Sequence, residues 1–207
     1  MEALRRARLA RAAKSLNRGH ELPAFVLLTD DERLPDPLAA AHALPRGSMV
    51  VVRARQSSHR AKLARVLQPV ARARGLVLLI ANDPPLVDRI RAAGLHLPEL
   101  NMAGAAYWRA RRPQWLITAA AHSLNACCAA HRFRADAVFL SPVLPTKSHR
   151  DGRSLGPLKA RRIASLAPLP VYALGGIANP NAGRLAESRF IGLAAIGALA
   201  VSARCTN

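Results

Sequence analysis

Only three cysteines occur in 207 residues, Cys127, Cys128 and Cys205, and two of them are adjacent. An odd number in that arrangement argues against a disulfide framework, and a reducing cytoplasm is the simplest expectation. No apolar run approaches the ~18 residues that a membrane span needs. Residues 1–21 are basic but have no apolar central region, which argues against a secretory signal. Aromatics are few, two Trp, two Tyr and four Phe, and they are not interleaved with basic residues as in a single-strand nucleic-acid binder. Acidic side chains are scarce as well: 12 Asp and Glu against 31 Lys and Arg, a formal net charge of +19. Such a surface attracts anions, whether nucleic acid, anionic lipid or a phosphorylated metabolite. Most of the excess is arginine spread through helical segments, a pattern that an arginine- and alanine-rich proteome also produces, so nucleic acid is not the favoured partner.

What is present is a core. Hydrophobic residues make up 51% of the chain. Short apolar runs recur at residues 24–28, 49–52, 76–80, 95–97, 115–119, 137–140, 170–174 and 192–196, and segments of helical spacing separate them. Continuous rather than alternating apolar strands imply burial on both faces, hence a parallel sheet. Eight such units in about 180 residues predict a single-domain (β/α)₈ TIM barrel; a doubly wound sheet is the alternative. Residues 1–21 read as a basic helical extension, with helical spacing over 4–16, and residues 22–207 as the barrel domain. Ser58 is expected to cap the helix after the second strand.

The seventh unit is the most informative. Pro170-Val171-Tyr172-Ala173-Leu174 runs directly into Gly175-Gly176, and Asn179-Pro180-Asn181 then reads as a helix start with Asn179 as N-cap. Strand, double glycine and helix start together can aim backbone N–H groups at a phosphate. An ordinary strand-to-helix turn has the same sequence. Replacing Gly176 with a bulky residue is expected to block a ligand and leave the fold largely intact.

In a barrel, the residues that close each strand face one site, with phosphate near strands seven and eight. Those residues are Arg53 and Arg55, Asn82 and Asp83, His96, His122, Thr146 to His149, Gly175-Gly176 and Gly197-Ala198. Arginine can fork onto a phosphate, Asp83 can hold Mg²⁺ with substrate oxygens, and His122 can act as a general base. Each has a plainer reading too. Arg53 suits a rim ion pair, Asn82-Asp83 a helix cap, His122-Ser123 a helix start, and the segment 141–155 a linker. His96, between two leucines, reads as a packed histidine.

With those residues in place, the chain resembles the thiamine phosphate synthase and TenI superfamily from about residue 24 to 200. The match is carried by Asn82-Asp83, Gly94-Leu95-His96-Leu97, Ala135-Asp136-Ala137, Ser141-Pro142-Val143-Leu144-Pro145-Thr146 and Ala173-Leu174-Gly175-Gly176-Ile177. The resemblance implies a thiazole phosphate ligand with its phosphate at Gly175, Gly176, Gly197 and Ala198. For a synthase it implies coupling to an aminopyrimidine pyrophosphate. Arg53 is then catalytic, Arg55, Asn82, Thr146, Ser148 and His149 bind substrate, and Asp83 binds Mg²⁺. For a TenI-like tautomerase it implies His122 as acid and base, with no cofactor. A non-catalytic thiazole phosphate binder is a third possibility. The resemblance leaves a homodimer open.

Several positions depart from the synthase pattern. Gln-x-Arg-x-Lys becomes Val51, Arg53 and Arg55; the second Mg²⁺ aspartate falls on Asn101; the Gln after strand four falls near Glu99; the serine before His122 becomes Ala120; and the Thr-x-Thr-Lys pattern becomes Thr146-Lys147-Ser148-His149. Losing one carboxylate weakens a Mg²⁺ site.

Overall fold

The computed structural model describes residues 2–146 and 154–199. Eight parallel strands close a barrel in chain order: β1 Phe25–Leu28, β2 Met49–Val52, β3 Val77–Ala81, β4 Gly94–Leu97, β5 Leu116–Ala121, β6 Ala137–Leu140, β7 Val171–Leu174 and β8 Phe190–Ala195. Closure comes from β1 pairing with β8, Phe25 opposite Leu193 and Leu27 opposite Ala195. The expected (β/α)₈ barrel is therefore what the chain forms. Most strands sit on the apolar runs that predict them. β5 continues to Ala121, and β8 begins at Phe190 rather than Gly192, across an irregular register against β7.

Seven helices surround the described barrel: α1 Glu2–Asn17, α2 Pro37–His42, α3 Ser57–Arg74, α4 Pro84–Ile90, α5 Gly104–Arg111, α6 Leu124–Arg132 and α7 Pro157–Leu166. Local chemistry sets several of their starts. Asp36, Asp83 and Ser123 accept from the backbone amides of Ala39, Leu86 and Ala126, capping α2, α4 and α6. Proline opens α2, α4 and α7, where its missing N–H costs nothing. α3 departs from expectation: it begins at Ser57, after Gln56, with no side-chain cap. α1 packs against β8 and β1. Its Leu9, Ala13 and Leu16, one turn apart, are buried in the core, and Asn17 Nδ2 donates to Leu22 O and Ile191 O at 3.0 and 3.1 Å.

One predicted helix is replaced. Residues 182–185 form only a 3₁₀ turn, and Asn179 caps nothing. Asn181 folds back instead: Nδ2 donates to Gly176 O at 2.7 Å and Oδ1 accepts from Ala178 N at 2.8 Å. A short amide side chain that bonds its neighbouring backbone competes with helix formation. The segment after β8 is a 3₁₀ turn, Gly197–Leu199, and the expected terminal helix lies outside the described residues.

Strand side chains alternate between two cores. The outward set, including Leu27, Val50, Ile80, Ile117, Val138 and Leu193, packs under the helices. The inward set, including Val26, Met49, Leu79, Phe139 and Tyr172, fills the barrel. His96 belongs to the interior. It is 6% exposed, its Nδ1 lies 3.0 Å from Thr118 Oγ1, and its ring meets Phe139 edge-on at 5.1 Å. Burial, and then the charge of Arg53, pushes its pKa down to about 3, so it is a neutral packed histidine.

That depression has a consequence for stability. The unfolded chain takes up a proton at His96 below about 6.5, whereas the folded chain does so only near 3. Stability at this residue is therefore whole above 6.5 and falls as pH falls through that window, by up to about 1.4 kcal/mol per pH unit. Urea unfolding of wild type and His96→Asn between pH 7 and 4.5 should give a steeper loss in the wild type; parallel slopes would contradict the assignment.

Candidate active site

The C-terminal ends of the strands enclose a cavity of about 600 Å³. Its wall is made by Ser141, Pro142, Pro145 and Thr146 after β6, by Leu174 to Ala178 after β7, and by Ala194 to Ala198 at the end of β8. Arg33 and Arg53, from the loops after β1 and β2, complete it. Five of the residues expected to bind substrate, Thr146, Gly175, Gly176, Gly197 and Ala198, thus share one cavity with Arg53.

The double glycine is a structural requirement of this wall. Gly175 and Gly176 have φ of +97° and +69°. A Cβ on Gly175 would stand 2.9 Å from Pro142 Cα, and one on Gly176 would stand 2.4 Å from Pro145 O and 2.6 Å from Leu144 O. The β6 and β7 loops therefore touch backbone to backbone, joined by Leu144 N donating to Gly175 O at 3.1 Å. This corrects the expectation that a bulky residue at 176 leaves the fold largely intact: the conflict is with the neighbouring loop. Around the same cavity, the amides of Gly176, Ile177, Gly197 and Ala198 make no hydrogen bond among the described residues. A partly enclosed row of unpaired backbone donors favours an anion.

Arg53 is both an ion-pair partner and a wall of the cavity. Its Nη2 donates to Asp30 Oδ2 at 2.6 Å, while Thr29 Oγ1 bridges its backbone N and O at 2.8 and 2.7 Å. Asp30 also takes Arg33 in a fork, 3.1 Å from Nε and 2.6 Å from Nη2. Burial alone would raise the Asp30 pKa, but these arginine bonds hold it well below the usual carboxylate range. Arg55 stands outside the cavity lining, paired with Glu32 at 3.0 Å with both side chains mostly exposed.

Asp83 and His122 lie at the same end of the barrel, after β3 and β5, but do not line this cavity. Both oxygens of Asp83 are engaged: Oδ1 caps α4 at Leu86 N, and Oδ2 takes Arg60 Nη2 at 3.1 Å. Asn101 Nδ2 donates to Asn82 Oδ1 at 3.0 Å, and Asn82 holds φ +51°. Mg²⁺ needs several oxygen donors, preferably anionic. One carboxylate already neutralised by arginine, beside two amides bonded to each other, does not fit a resident Mg²⁺. No group of three His, Cys, Asp or Glu suited to a metal occurs among the described residues. His122 is held by Glu99, whose Oε2 accepts from its ring Nδ1 at 2.6 Å and from its backbone N at 2.8 Å. Ser148 and His149 lie outside the described residues.

Reading strand ends missed Asp30 and Arg33, although Thr29-Asp30 closes β1 as plainly as Arg53 closes β2. Arg60 was hidden inside α3, where arginines are common. The Glu99–His122 pair joins residues from two successive units, which only the closed barrel brings together.

The described residues thus form a parallel (β/α)₈ barrel whose strand-end cavity is lined by the β6, β7 and β8 loops and by an arginine tethered to Asp30. The model of a thiamine monophosphate synthase family matches residues 25–199, and the chain belongs to that family. It is 32% identical over 177 residues to the thiamine-phosphate synthase of Bordetella bronchiseptica, covering 77% of each chain. It is 28% identical over 180 residues to that of Chlorobium luteolum, covering 86% of this chain and 85% of the other. Among solved structures, a thiamine phosphate pyrophosphorylase from Pyrococcus furiosus superposes with a TM-score of 0.75 at 21% identity, covering 92% of this chain and 90% of that one. No helix among the described residues is long and apolar enough to cross a membrane.

Gly176→Ala should cost on the order of 1–3 kcal/mol, because it adds strain at positive φ and a contact with backbone. It should also abolish saturable binding of thiazole phosphate. Calorimetry of the wild type and Gly176→Ala reads the two effects; unchanged melting and affinity would contradict the packing described.

Proposed function

We propose that the chain works in thiamine biosynthesis as a synthase-like transferase. It couples thiazole phosphate with hydroxymethylpyrimidine pyrophosphate to give thiamine phosphate and pyrophosphate. The observation that carries this reading is the cavity after β6, β7 and β8, where unpaired amides and Arg53 face the same space. The thiazole phosphate group binds the amides of Gly176 and Ala198. Arg53 and Thr146 line the same cavity as those amides. The C–O bond to pyrophosphate breaks, pyrophosphate leaves with the electron pair, and the thiazole nitrogen forms the new C–N bond. Arg53 offsets the charge that develops on the leaving group. Family membership supports the reaction class, and the cavity supports the phosphate.

A second reading, a TenI-like tautomerase, is favoured by a separate observation. Asp83 is spent on Arg60 and a helix cap, whereas His122 is held in one orientation by Glu99. Proton transfer by an imidazole needs no metal.

Incubating the protein with each thiazole tautomer, with and without the pyrimidine pyrophosphate and Mg²⁺, separates the readings. Thiamine phosphate and pyrophosphate should appear together and only when both substrates are present. Isomerisation without coupling would replace the first reading with the second. Binding of thiazole phosphate with neither reaction would make the chain a binder built on an enzyme's barrel.

A further inference from the structure

Glu99 stands on the 3₁₀ turn Glu99–Asn101 after β4, and His122 follows β5, the next strand round the barrel. A single oxygen, Glu99 Oε2, accepts both the backbone amide and the ring Nδ1 of His122, at 2.8 and 2.6 Å. Two bonds to one acceptor fix the side chain against its own backbone. An ionised carboxylate carries no proton to share, so Nδ1 must donate. The neutral ring is therefore the tautomer with its proton on Nδ1 and a bare lone pair on Nε2. Nε2 has no partner among the described residues.

The plainer reading, that His122 only starts a helix, does not account for this. Ser123 does that work: its Oγ accepts from Ala126 N at 3.1 Å. Cys127 in the first turn of α6 is no rival proton carrier. Burial, then the charges of Cys128 and Glu99, pushes its thiol up to about 12.

We propose that Glu99 is a positioning residue that holds His122 in the Nδ1–H tautomer and so makes Nε2 the atom that takes and returns the substrate's proton. The inference rests on the tautomerase reading above. Nε2 takes a proton from one position of the thiazole carboxylate phosphate, leaving its electron pair in the ring system, and returns the proton at the other position. Atoms and charge balance with no co-reactant. Midway the ring is an imidazolium, and Glu99 offsets its charge. A glutamine at this position, which the resemblance to synthases leads one to expect, would accept the same bonds without that charge.

The test uses the full chain labelled with ¹⁵N, with ring shifts assigned by comparison with His122→Asn. The wild type and Glu99→Gln should show the Nδ1–H tautomer, and Glu99→Ala should shift the ring towards Nε2–H. Isomerisation by Glu99→Ala should lose roughly 10²-fold in kcat with little change in KM, and Glu99→Gln should fall between it and the wild type. Comparison with Glu99→Gln guards against a local collapse in Glu99→Ala. A wild-type ring protonated on Nε2, or a tautomer indifferent to Glu99→Ala, would overturn the proposal. A wild type that holds the Nδ1–H tautomer yet isomerises nothing would sink the tautomerase reading and leave the hold of Glu99 on the ring standing.

Discussion

The closed parallel ladder is the constraint on which everything else depends. A parallel strand covered by helices outside and by its neighbours' side chains inside has no face turned to water. Strands such as Phe25–Leu28, Met49–Val52 and Ala137–Leu140 are accordingly buried at every position. Polar side chains can enter such a structure only in pairs, as His96 and Thr118 do, or at the strand ends. The barrel thus gathers its chemistry at one rim because the wall excludes it everywhere else.

At that rim, scarce carboxylates decide where the basic groups go. Asp30 takes Arg33 and Arg53, Asp83 takes Arg60, and Glu99 takes His122. Partly exposed pairs of this kind contribute little stability, on the order of 0–1 kcal/mol each. Their effect is geometric. Asp30 presents two guanidinium groups at the wall of one cavity. Asp83, by contrast, is turned from an available ligand into a fixed part of α4. The same residue type therefore gathers guanidinium groups at the cavity on one side of the mouth and ties its own carboxylate to Arg60 on the other.

Much of this was legible in the sequence. Uninterrupted apolar runs such as Met49–Val52 announce two-sided burial, and their alternation with helical segments leads directly to the barrel. The glycines at 175 and 176 and the arginine at 53 could be placed on the rim from strand ends alone. Less legible was anything that depends on which partner a side chain chooses. Asn181 could cap a helix or fold back on Gly176, and the sequence does not rank the two. From sequence, Asp83 reads as either a metal ligand or a helix cap; the structure shows the cap, and only the distance to Arg60 shows that the carboxylate is also engaged there. The expectation for Gly176 failed for a similar reason. The obstacle to a side chain there is the backbone of residues 144 and 145, which sequence alone does not bring near.

The central claim is that a phosphate belongs at the turn amides after β7 and β8. A crystal structure of the chain with thiazole phosphate tests it most directly. The account predicts phosphate oxygens within hydrogen-bond reach of the amides of Gly176 and Ala198, inside the cavity that Arg53 closes. A phosphate seated instead in the arginine-lined cleft of Arg65, Arg72, Arg89 and Arg91 on the outer wall, with the cavity left to water, would contradict it.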